Sequence, residues 1–333
     1  MKRMKIIFRT NGGKNIGLGH LFRCLSLAKA ISKINTNTKI IFISNYEVKN
    51  LVVKNKFKFI NSENFSDFDL IYKENPDLIV FDSYLANNDY LLKLKKISKL
   101  IIFDDNNDVY DSSIPDVIIN GNIHAFNLNY DKKPKKLLGP KYLVMKEEYW
   151  NSNFKGKNKC TNNDILITTG GSDSNRILSK IIEVMNNIDA NKKIVIGPMF
   201  EEEYIKLIEN KINKSFEIIY KPSSLKKYIE NSKIIITASG STIYEVLILK
   251  KPPLIFTIAK NQELIAKELE KFGVINLGNY DNLNFSNLGK VIHETINNLE
   301  VYINKLKKLF DLFDGKGAIR VAKSILEHSC REK

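Results

Sequence analysis

Short apolar segments alternate with longer segments of helical periodicity along the whole chain. The apolar segments are rich in Ile and Val and show little polar alternation, which is typical of strands buried on both faces of a parallel sheet. The predicted strands are residues 5–8, 39–44, 78–81, 100–103 and 117–119, then 165–168, 193–196, 217–220, 234–237 and 254–257. The predicted intervening helices include 21–32, 88–97, 175–185 and 243–249. This alternation predicts two doubly wound α/β domains.

The chain of 333 residues is long for one hydrophobic core, which favours two domains. The alternation pauses over residues 139–159, and 155–159 form a polar, breakable stretch. We therefore predict an N-terminal domain of residues 1–150 and a C-terminal domain of residues 160–333. A long helical tail over 288–326, interrupted near its end by the glycines of 315–317, is expected to close the chain. Ligands of open parallel sheets bind beyond the carboxyl ends of the strands, so we expect the chemistry in a cleft between two facing sheets.

The formal net charge of +15 raises the question of an anionic partner. The lysines are spread from Lys2 to Lys333, often near glutamates, and form no long basic run. This distribution is typical of solvated helix faces, so we predict no nucleic-acid partner and only a modest attraction for anionic substrates. The three cysteines, Cys24, Cys160 and Cys330, have neither disulfide nor metal-ligand spacing.

The amino-terminal segment carries charge but has only three consecutive apolar residues before Arg9, too few for a secretory signal. No stretch of the sequence approaches the roughly eighteen apolar residues of a membrane span. Together with the cysteine pattern, this predicts a protein of the reducing cytoplasm without a membrane span. The sequence indicates no oligomeric state.

The loop 11–23 follows the first predicted strand and opens the first predicted helix. Gly17 and Gly19 allow a close backbone approach and positive φ angles. His20 follows at the helix start, where the helix dipole favours a neutral imidazole that can accept a proton from water. The alternative is a His that only caps or packs against the helix. A dinucleotide loop is disfavoured because the third glycine of that motif is missing.

Two further loops follow predicted strands of the first half. Asp82 ends one strand and can orient His20 or bind substrate, and Tyr84 can line the cleft, although an Asp there can equally cap the next helix. Asp104 and Asp105 follow the next strand, where paired carboxylates can hold a divalent cation with a diphosphate. No third carboxylate follows at ligand spacing, so turn or capping roles are favoured and no metal is predicted.

Three loops of the second half also carry small or polar residues after predicted strands. A glycine pair before a helix can bind an anion through its backbone amides, hydroxyls can contact phosphate, and a Glu one turn into a helix can bind a ribose. Each loop taken singly fits an ordinary turn or capping box as well. The candidate residues are Gly170, Gly171, Ser172 and Asp173; Ser239, Ser241, Thr242 and Glu245; and Asn261 and Gln262.

Taken in order, these motifs cover nearly the whole chain and resemble those of a known family. They are 8–9, 16–20, Arg23, 27–28, Asp82, Tyr84, 103–105, 139–142, 170–173, Glu245, 261–262 and 315–318. The pattern is similar to the UDP-2,4-diacetamido-2,4,6-trideoxy-β-L-altropyranose hydrolases of pseudaminic acid biosynthesis. It also resembles spore-coat polysaccharide proteins and, more distantly, the lipid II-forming N-acetylglucosaminyltransferase. The resemblance implies the GT-B fold, with two facing Rossmann-like domains.

The resemblance further implies hydrolysis of the sugar–UDP bond, with neither a metal nor another cofactor. His20 would be the catalytic base that activates water for attack at the anomeric carbon with inversion, and Tyr84 and Asn261 would lie near the sugar and diphosphate. The loop 170–171, the segment 239–242 and the nearby Glu245 would hold UDP. Further candidates for substrate contacts in the first domain are Asn11, Gly17, Gly19, Arg23, Asp82 and Asp105.

The sequence departs from the family pattern in its first loop. Asn11 stands where the family usually carries Asp, and glycines 12 and 13 replace the more usual Ala or Ser. Asn keeps the size and hydrogen bonding of Asp but lacks its charge. Two rivals to the hydrolase stay open: a glycosyltransferase in which His20 deprotonates an acceptor hydroxyl, and a non-catalytic nucleotide-sugar binding protein.

Overall fold

The computed structural model describes residues 3–14, 16–151, 165–282 and 285–330. The polar stretch 155–159 and Cys160 lie outside the described residues. The chain divides into two compact units, one formed by Met1–Asn151 with Asp314–Lys333 and the other by Ser152–Phe313.

The first unit contains a seven-stranded, fully parallel sheet with the order β3-β2-β1-β4-β5-β6-β7. The strands are β1 Met4–Thr10, β2 Thr38–Ser44, β3 Lys58–Asn61, β4 Leu78–Asp82, β5 Lys99–Phe103, β6 Val117–Asn120 and β7 Lys135–Leu138.

The second unit contains a six-stranded, fully parallel sheet with the order β10-β9-β8-β11-β12-β13. The strands are β8 Ile165–Thr168, β9 Lys192–Ile196, β10 Phe216–Tyr220, β11 Ile234–Ala238, β12 Pro253–Thr257 and β13 Ile275–Asn279. Counted from its own first strand, this is the 3-2-1-4-5-6 order of a Rossmann fold.

Helices connect the strands in both units. They are α1 Gly19–Ile34, α2 Lys49–Lys54, α3 Phe68–Glu74, α4 Asn88–Ile97, α5 Ile177–Met185, α6 Glu202–Lys211, α7 Lys226–Glu230, α8 Thr242–Ile248, α9 Glu263–Lys271, α10 Phe285–Asn297, α11 Leu299–Lys305, α12 Lys307–Phe310 and α13 Gly317–Cys330.

Alternate residues of the central strand β1 pack against opposite layers of the first unit. Ile6 and Phe8 join the apolar cluster that contains α1, whereas Ile7 joins the cluster that contains Leu91 and Leu94 of α4. Because successive side chains of a strand point to opposite faces, a strand covered on both sides must be apolar throughout. This is why β1 lacks the polar alternation of a half-exposed strand.

All ten predicted strands are confirmed, and three strands were missed. The missed strands β3, β7 and β13 all lie at sheet edges, where a strand has one neighbour and less apolar burial. Their sequences are correspondingly polar or contain glycine, as with Lys135 in β7 and Gly278 in β13. The predicted helical tail over 288–326 is confirmed as helical, and so is its interruption at 315–317, since α13 begins only at Gly317. The structure further divides the part before this interruption into α10, α11 and α12.

The last helix, α13, belongs to the first unit, whereas the sequence assigned it to the second domain. Ala318, Val321, Ala322 and Ile325 of α13 are buried in the cluster that includes α1. Gly317, at the start of α13, lies so close to the backbone of residue 143 that no side chain fits there. The predicted division therefore differs from the observed one for residues Asp314–Lys333.

Each sheet reverses its strand order at one point. The loops that follow the two strands at this point leave their carboxyl ends in opposite directions, and a crevice forms between them. In the first unit this point is between β1 and β4, and in the second unit it is between β8 and β11. The loops predicted to carry chemistry therefore meet at these two places, each within its own unit.

Candidate active site

A tight glycine turn carries the chain from β1 to α1. Gly13 and Gly17 form an isolated antiparallel bridge. The distance from N of Gly13 to O of Gly17 is 3.0 Å, and the distance from N of Gly17 to O of Gly13 is 2.7 Å. Gly17 has a φ of +83°, a conformation that side-chain-bearing residues rarely adopt. The turn delivers Gly19 as the first residue of α1 and so places His20 in the first turn of that helix, as predicted.

His20 is paired with a fully buried carboxylate. Its Nδ1 atom lies 2.7 Å from Oδ1 of Asp82, which ends β4 directly opposite Thr10 of β1. An ionised carboxylate can only accept a hydrogen bond, so Nδ1 donates and carries the ring proton. Across the described ranges, no protein group hydrogen-bonds the other nitrogen, Nε2. In the neutral form of this ring Nε2 is the nitrogen that can accept a proton, on a side chain that is 13% exposed.

Arg23, one turn further along α1, bridges two carboxylates. Its Nε and Nη2 atoms donate to Asp82 at 2.9 and 2.8 Å. Its Nη1 and Nη2 atoms donate to Asp105 at 2.7 and 3.2 Å. The guanidinium also stacks over Phe103, 4.6 Å from the ring centroid. The planar fork thus joins the ends of β4 and β5 through bidentate bonds that a Lys cannot reproduce.

The charges of this cluster shift one another's ionisation. Burial alone would raise the pKa of Asp82, but the Arg23 charge and the contact with His20 outweigh burial and hold the pKa of Asp82 below its ordinary value. Burial opposes ionisation of Asp105 as well, yet Arg23 and the Tyr84 hydroxyl hold its pKa far below the ordinary value. Both side chains are therefore carboxylates at neutral pH, and neither can serve as a general acid.

Tyr84 closes one side of the cluster. Its hydroxyl donates to Oδ2 of Asp105, and its ring stands perpendicular to the His20 ring with centroids 4.5 Å apart. Burial, together with the Asp105 charge, raises the pKa of Tyr84 well above its ordinary value. Tyr84 is therefore a neutral hydrogen-bond donor that fixes the position of the imidazole.

Sequence reasoning missed three residues that contact Asp105, namely Asn120, Asn122 and His124. Nδ2 of Asn122 donates to Oδ1 of Asp105 at 2.8 Å, and Nε2 of His124 lies 2.9 Å from the Asp105 carbonyl oxygen. Both follow β6, the strand after Asp105. The same rule that selected Asp82, a polar residue at the end of a buried strand, would have found Asn120, whose Nδ2 donates to the Asp105 carbonyl oxygen at 3.0 Å, but not Asn122 or His124.

Asn11 lies in a different group of contacts. Its Oδ1 accepts from Nη1 of Arg9 at 2.8 Å, and Arg9 is fully buried and forms an ion pair with Asp67 at 2.7 Å. Within the described part of the chain, no hydrogen bond joins Asn11 to the His20 cluster. Because Asp67 already balances the charge of Arg9, a neutral Asn is accommodated where the family usually carries Asp.

In the second unit, a cavity of about 250 Å³ opens where the loops after β8, β11 and β12 meet. Gly170 has a φ of +103°, and a Cβ added at Gly170 or Gly171 would meet no atom within 4 Å. The walls are therefore backbone amides and hydroxyls, which suit an anion. The lining residues are Thr169, Gly170, Gly171, Ser172, Thr237, Ala238, Gly240, Ser241, Thr242, Ile258 and Gln262.

Four predicted binding residues of the second unit do not line this cavity. Asp173 accepts from the backbone N–H groups of residues 177 and 178 and from the Tyr204 hydroxyl, and so caps α5. Ser239 is buried and donates to the Phe256 carbonyl oxygen at 3.1 Å. The other two are Glu245, which is buried within α8, and Asn261, which is exposed.

Two further features concern metals and membranes. Over residues 3–14, 16–151, 165–282 and 285–330, no three His, Cys, Asp or Glu side chains are grouped as metal ligands would be. Among the helices that these ranges contain, none has both the length and the apolar character needed to cross a bilayer.

Comparison with curated proteins identifies relatives by sequence. An uncharacterized protein of Methanocaldococcus jannaschii is 32% identical over 265 residues, which cover 75% of this chain and 54% of that protein. The UDP-2,4-diacetamido-2,4,6-trideoxy-beta-L-altropyranose hydrolase of Campylobacter jejuni is 25% identical over 283 residues, 81% of this chain and 97% of the relative. The spore coat polysaccharide biosynthesis protein SpsG of Bacillus subtilis is 23% identical over 329 residues, 93% and 94% of the two chains. The chain thus spans about half the length of the archaeal relative. No family model matches it.

Solved structures define the fold. The crystal structure of Acinetobacter baumannii MurG matches with a TM-score of 0.74 at 14% sequence identity, covering 97% of this chain and 99% of that one. Identity this low shows the fold alone, which is the predicted GT-B type with two Rossmann-like domains. The sequence relatives confirm the predicted resemblance to the UDP-2,4-diacetamido-2,4,6-trideoxy-beta-L-altropyranose hydrolase and to the spore coat polysaccharide protein SpsG.

Proposed function

We propose that the protein hydrolyses the sugar–UDP bond of a UDP-2,4-diacetamido-2,4,6-trideoxyhexose and releases UDP and the free sugar, in the biosynthesis of a nonulosonic acid. The observation that carries this proposal is the pairing of His20 Nδ1 with buried Asp82, which leaves Nε2 able to accept a proton. The Campylobacter relative is named for this reaction. We also propose the cytoplasm as its compartment, as the sequence predicts.

The proposed chemical step is water attack assisted by a general base. Nε2 of His20 accepts a proton from water while the water oxygen forms a bond to the anomeric carbon. The bond from that carbon to the β-phosphate oxygen breaks, and its electron pair leaves with UDP. Asp82 stabilises the imidazolium that forms, because its carboxylate accepts the Nδ1 hydrogen bond. The proton then passes to solvent and the neutral imidazole is restored.

Tyr84 is the second residue that we assign to catalysis. Its hydroxyl is committed to Asp105, so we propose that its exposed ring edge and its contact with the imidazole hold the sugar and His20 in place. We also propose contacts with the sugar for Asn11, Gly17 and Gly19, and with the sugar or diphosphate for Asn261.

We assign the nucleotide to the second unit. Its glycine-rich cavity supplies backbone amides from 170–171 and hydroxyls from Ser241 and Thr242, and such groups bind phosphates without a metal. A cavity of about 250 Å³ is below the usual size of a site for a drug-sized ligand, which is roughly 300 Å³ or more. We therefore propose that it takes the diphosphate, with the nucleoside extending beyond it towards Glu245.

A second candidate function is an inverting UDP-sugar glycosyltransferase of surface polysaccharide biosynthesis. It is supported by the likeness of the fold to glycosyltransferase structures such as the glycotransferase of kitacinnamycin, with a TM-score of 0.70. His20 would then deprotonate an acceptor hydroxyl in place of water, since one base serves either nucleophile.

The experiment that separates the two functions is a panel of UDP- and CMP-sugars assayed for nucleotide release, with and without EDTA. The hydrolase is expected to release UDP from a UDP-2,4-diacetamido sugar without an added acceptor and regardless of EDTA. UDP release that strictly requires an acceptor would favour the transferase. Binding of UDP without release under either condition would reject both.

A further inference from the structure

Arg23 contacts both carboxylates and the imidazole of the candidate active site. It donates to both carboxylates, Asp82 and Asp105, and its Nη2 atom lies 3.4 Å from Nδ1 of His20. Since Nδ1 already donates to Asp82, the approach of Arg23 is not a hydrogen bond to the ring. It is a permanent positive charge held against the imidazole.

The environment of His20 combines charges of opposite effect. Arg23 faces the ring from its own helix, Asp82 faces it from β4, and Tyr84 and Asp105 face it from the loops after β4 and β5. Each carboxylate favours the imidazolium, whereas the guanidinium disfavours it. Tyr84 is neutral and donates to Asp105, so it weakens the influence of that carboxylate on the ring.

We propose that Arg23 is a positioning residue that sets the pH range in which His20 acts as a base, by offsetting the charges of Asp82 and Asp105. A base must be unprotonated to accept a proton from water. Two unbalanced carboxylates would stabilise the imidazolium and so disfavour the form that acts as a base. The inference rests on the proposed function only for its kinetic readout, because the protonation of His20 can be measured without any substrate.

The geometry of the cluster favours Arg over Lys for this purpose. Four donor bonds to the two carboxylates, together with the stack on Phe103, fix the guanidinium so that its charge cannot move away from the ring. Asn122 completes the arrangement by donating to the carboxylate oxygen of Asp105 that also accepts from Nη1 of Arg23. The offset is therefore a fixed property of the site.

The test is a titration of the imidazole side chains by NMR in the full chain and its variants. The His20 signal is assigned by its loss in His20→Gln. In Arg23→Gln, the midpoint of His20 protonation is expected to move to higher pH by about one unit or more, because two carboxylates lose their partner. In Asp105→Asn the midpoint should move to lower pH, and in Arg23→Lys, which keeps the charge, it should change least.

A double variant provides the matched control. Arg23→Gln with Asp105→Asn removes one positive and one negative charge, so its midpoint should return towards that of the wild type. Under the proposed hydrolase activity, the acidic limb of the kcat profile should move in the same direction as each midpoint. A residue with a purely structural role would lower kcat and leave that limb in place.

An unchanged midpoint in folded Arg23→Gln, verified by its circular dichroism and thermal transition, would overturn the inference. If that variant does not fold, Asp105→Asn decides, since a midpoint that does not fall contradicts the offset. Failure of the wild type to release UDP while the midpoints move as stated would reject the proposed function and leave this inference standing.

Discussion

The two units share a strand order but differ at the point where that order reverses. In the first unit, Arg23 of α1 bonds to two ionised side chains at the ends of strands, the buried Asp82 and the partly buried Asp105. In the second, the corresponding loops present glycine backbone and hydroxyl groups around a small cavity. The same scaffold therefore presents fixed charges at one reversal of strand order and a cavity lined by glycine and hydroxyl residues at the other.

Each unit has a glycine turn directly after the first strand of its sheet, but the two turns have different structural consequences. Gly17 and Gly170 each follow the first strand of a sheet and each adopt a positive φ. In the first unit the turn places the start of α1 so that His20 bonds to Asp82. In the second unit the turn leaves the backbone at Gly170 and Gly171 uncovered by side chains. A substitution that lowers kcat without changing UDP affinity, or the reverse, tests whether the first unit carries catalysis and the second unit binds UDP.

The largest effect is expected from Asp82→Asn. The new amide can donate to Nδ1 of His20, which would shift the ring proton to Nε2 and remove the base. We expect kcat for UDP release to fall about 100-fold to 10,000-fold, with KM little changed. Steady-state kinetics test this, with Asp89→Asn as a control because Asp89 is exposed in the first turn of α4. A kcat within twofold of the wild type would show that the dyad does not drive the reaction.

The next effect concerns stability and its pH dependence. The pKa of Asp105 is lowered in the folded state, so its ionisation stabilises the fold above the unfolded pKa of about 3.9. That contribution is lost as the pH falls below this value towards the lower folded pKa. Asp105→Asn should therefore reduce the free energy of unfolding by about 2 kcal/mol at pH 7.

Denaturant titrations at a series of pH values measure that difference. The gap between the wild type and Asp105→Asn should narrow as the pH falls below about 4. A gap that is constant down to the acid transition would show that Asp105 stabilises the unit by packing alone.

A smaller effect, on UDP affinity, is expected to distinguish the glycine loop of the second unit from that of the first. A Cβ at Gly171 or at Gly19 meets no protein atom within 4 Å, so neither Ala variant is expected to lose stability. Gly171→Ala places a methyl group in the proposed diphosphate site and should weaken UDP binding about tenfold, or about 1.4 kcal/mol. Gly19→Ala should leave UDP affinity unchanged. If calorimetry gives equal dissociation constants of UDP for the two variants, the diphosphate does not bind in this cavity.

The smallest effect is expected at Asp173. Because its carboxylate caps α5 and accepts from Tyr204, Asp173→Asn should lower the stability of the fold by about 1 kcal/mol. UDP affinity should not change. Thermal unfolding and calorimetry on the same samples test this, with Asp189→Asn, an exposed site, as the control. Weaker UDP binding at unchanged stability would make Asp173 a ligand, as its place in the loop after β8 predicted.

Sequence patterns predicted the strands of both sheet centres because burial on two faces requires continuous apolar runs. Edge strands such as β3 and β7 escape this rule, since one side of an edge strand is free to be polar. The position of α13 was also not predictable from its periodicity. An amphipathic helix records that one face is buried but not which unit buries it.

The candidate site was predictable in its positions and less so in its contacts. The rule that chemistry follows strand ends located His20, Asp82, Tyr84 and Asp105. It did not indicate that Arg23 would bridge two of them, because such bridging depends on how far β4 and β5 extend in the sheet. It also selected Asp173, since a capping carboxylate and a binding carboxylate look alike in a loop sequence.

The most direct test of the central claim is UDP release in water enriched in ¹⁸O, with a UDP-2,4-diacetamido sugar and no acceptor. The wild type is expected to release UDP and to place the label on the anomeric carbon of the free sugar. His20→Gln should lose at least about 100-fold in rate, while His293→Gln, which alters an exposed His on α10, should not. Undiminished release by His20→Gln, or label in the phosphate of UDP, would contradict the account.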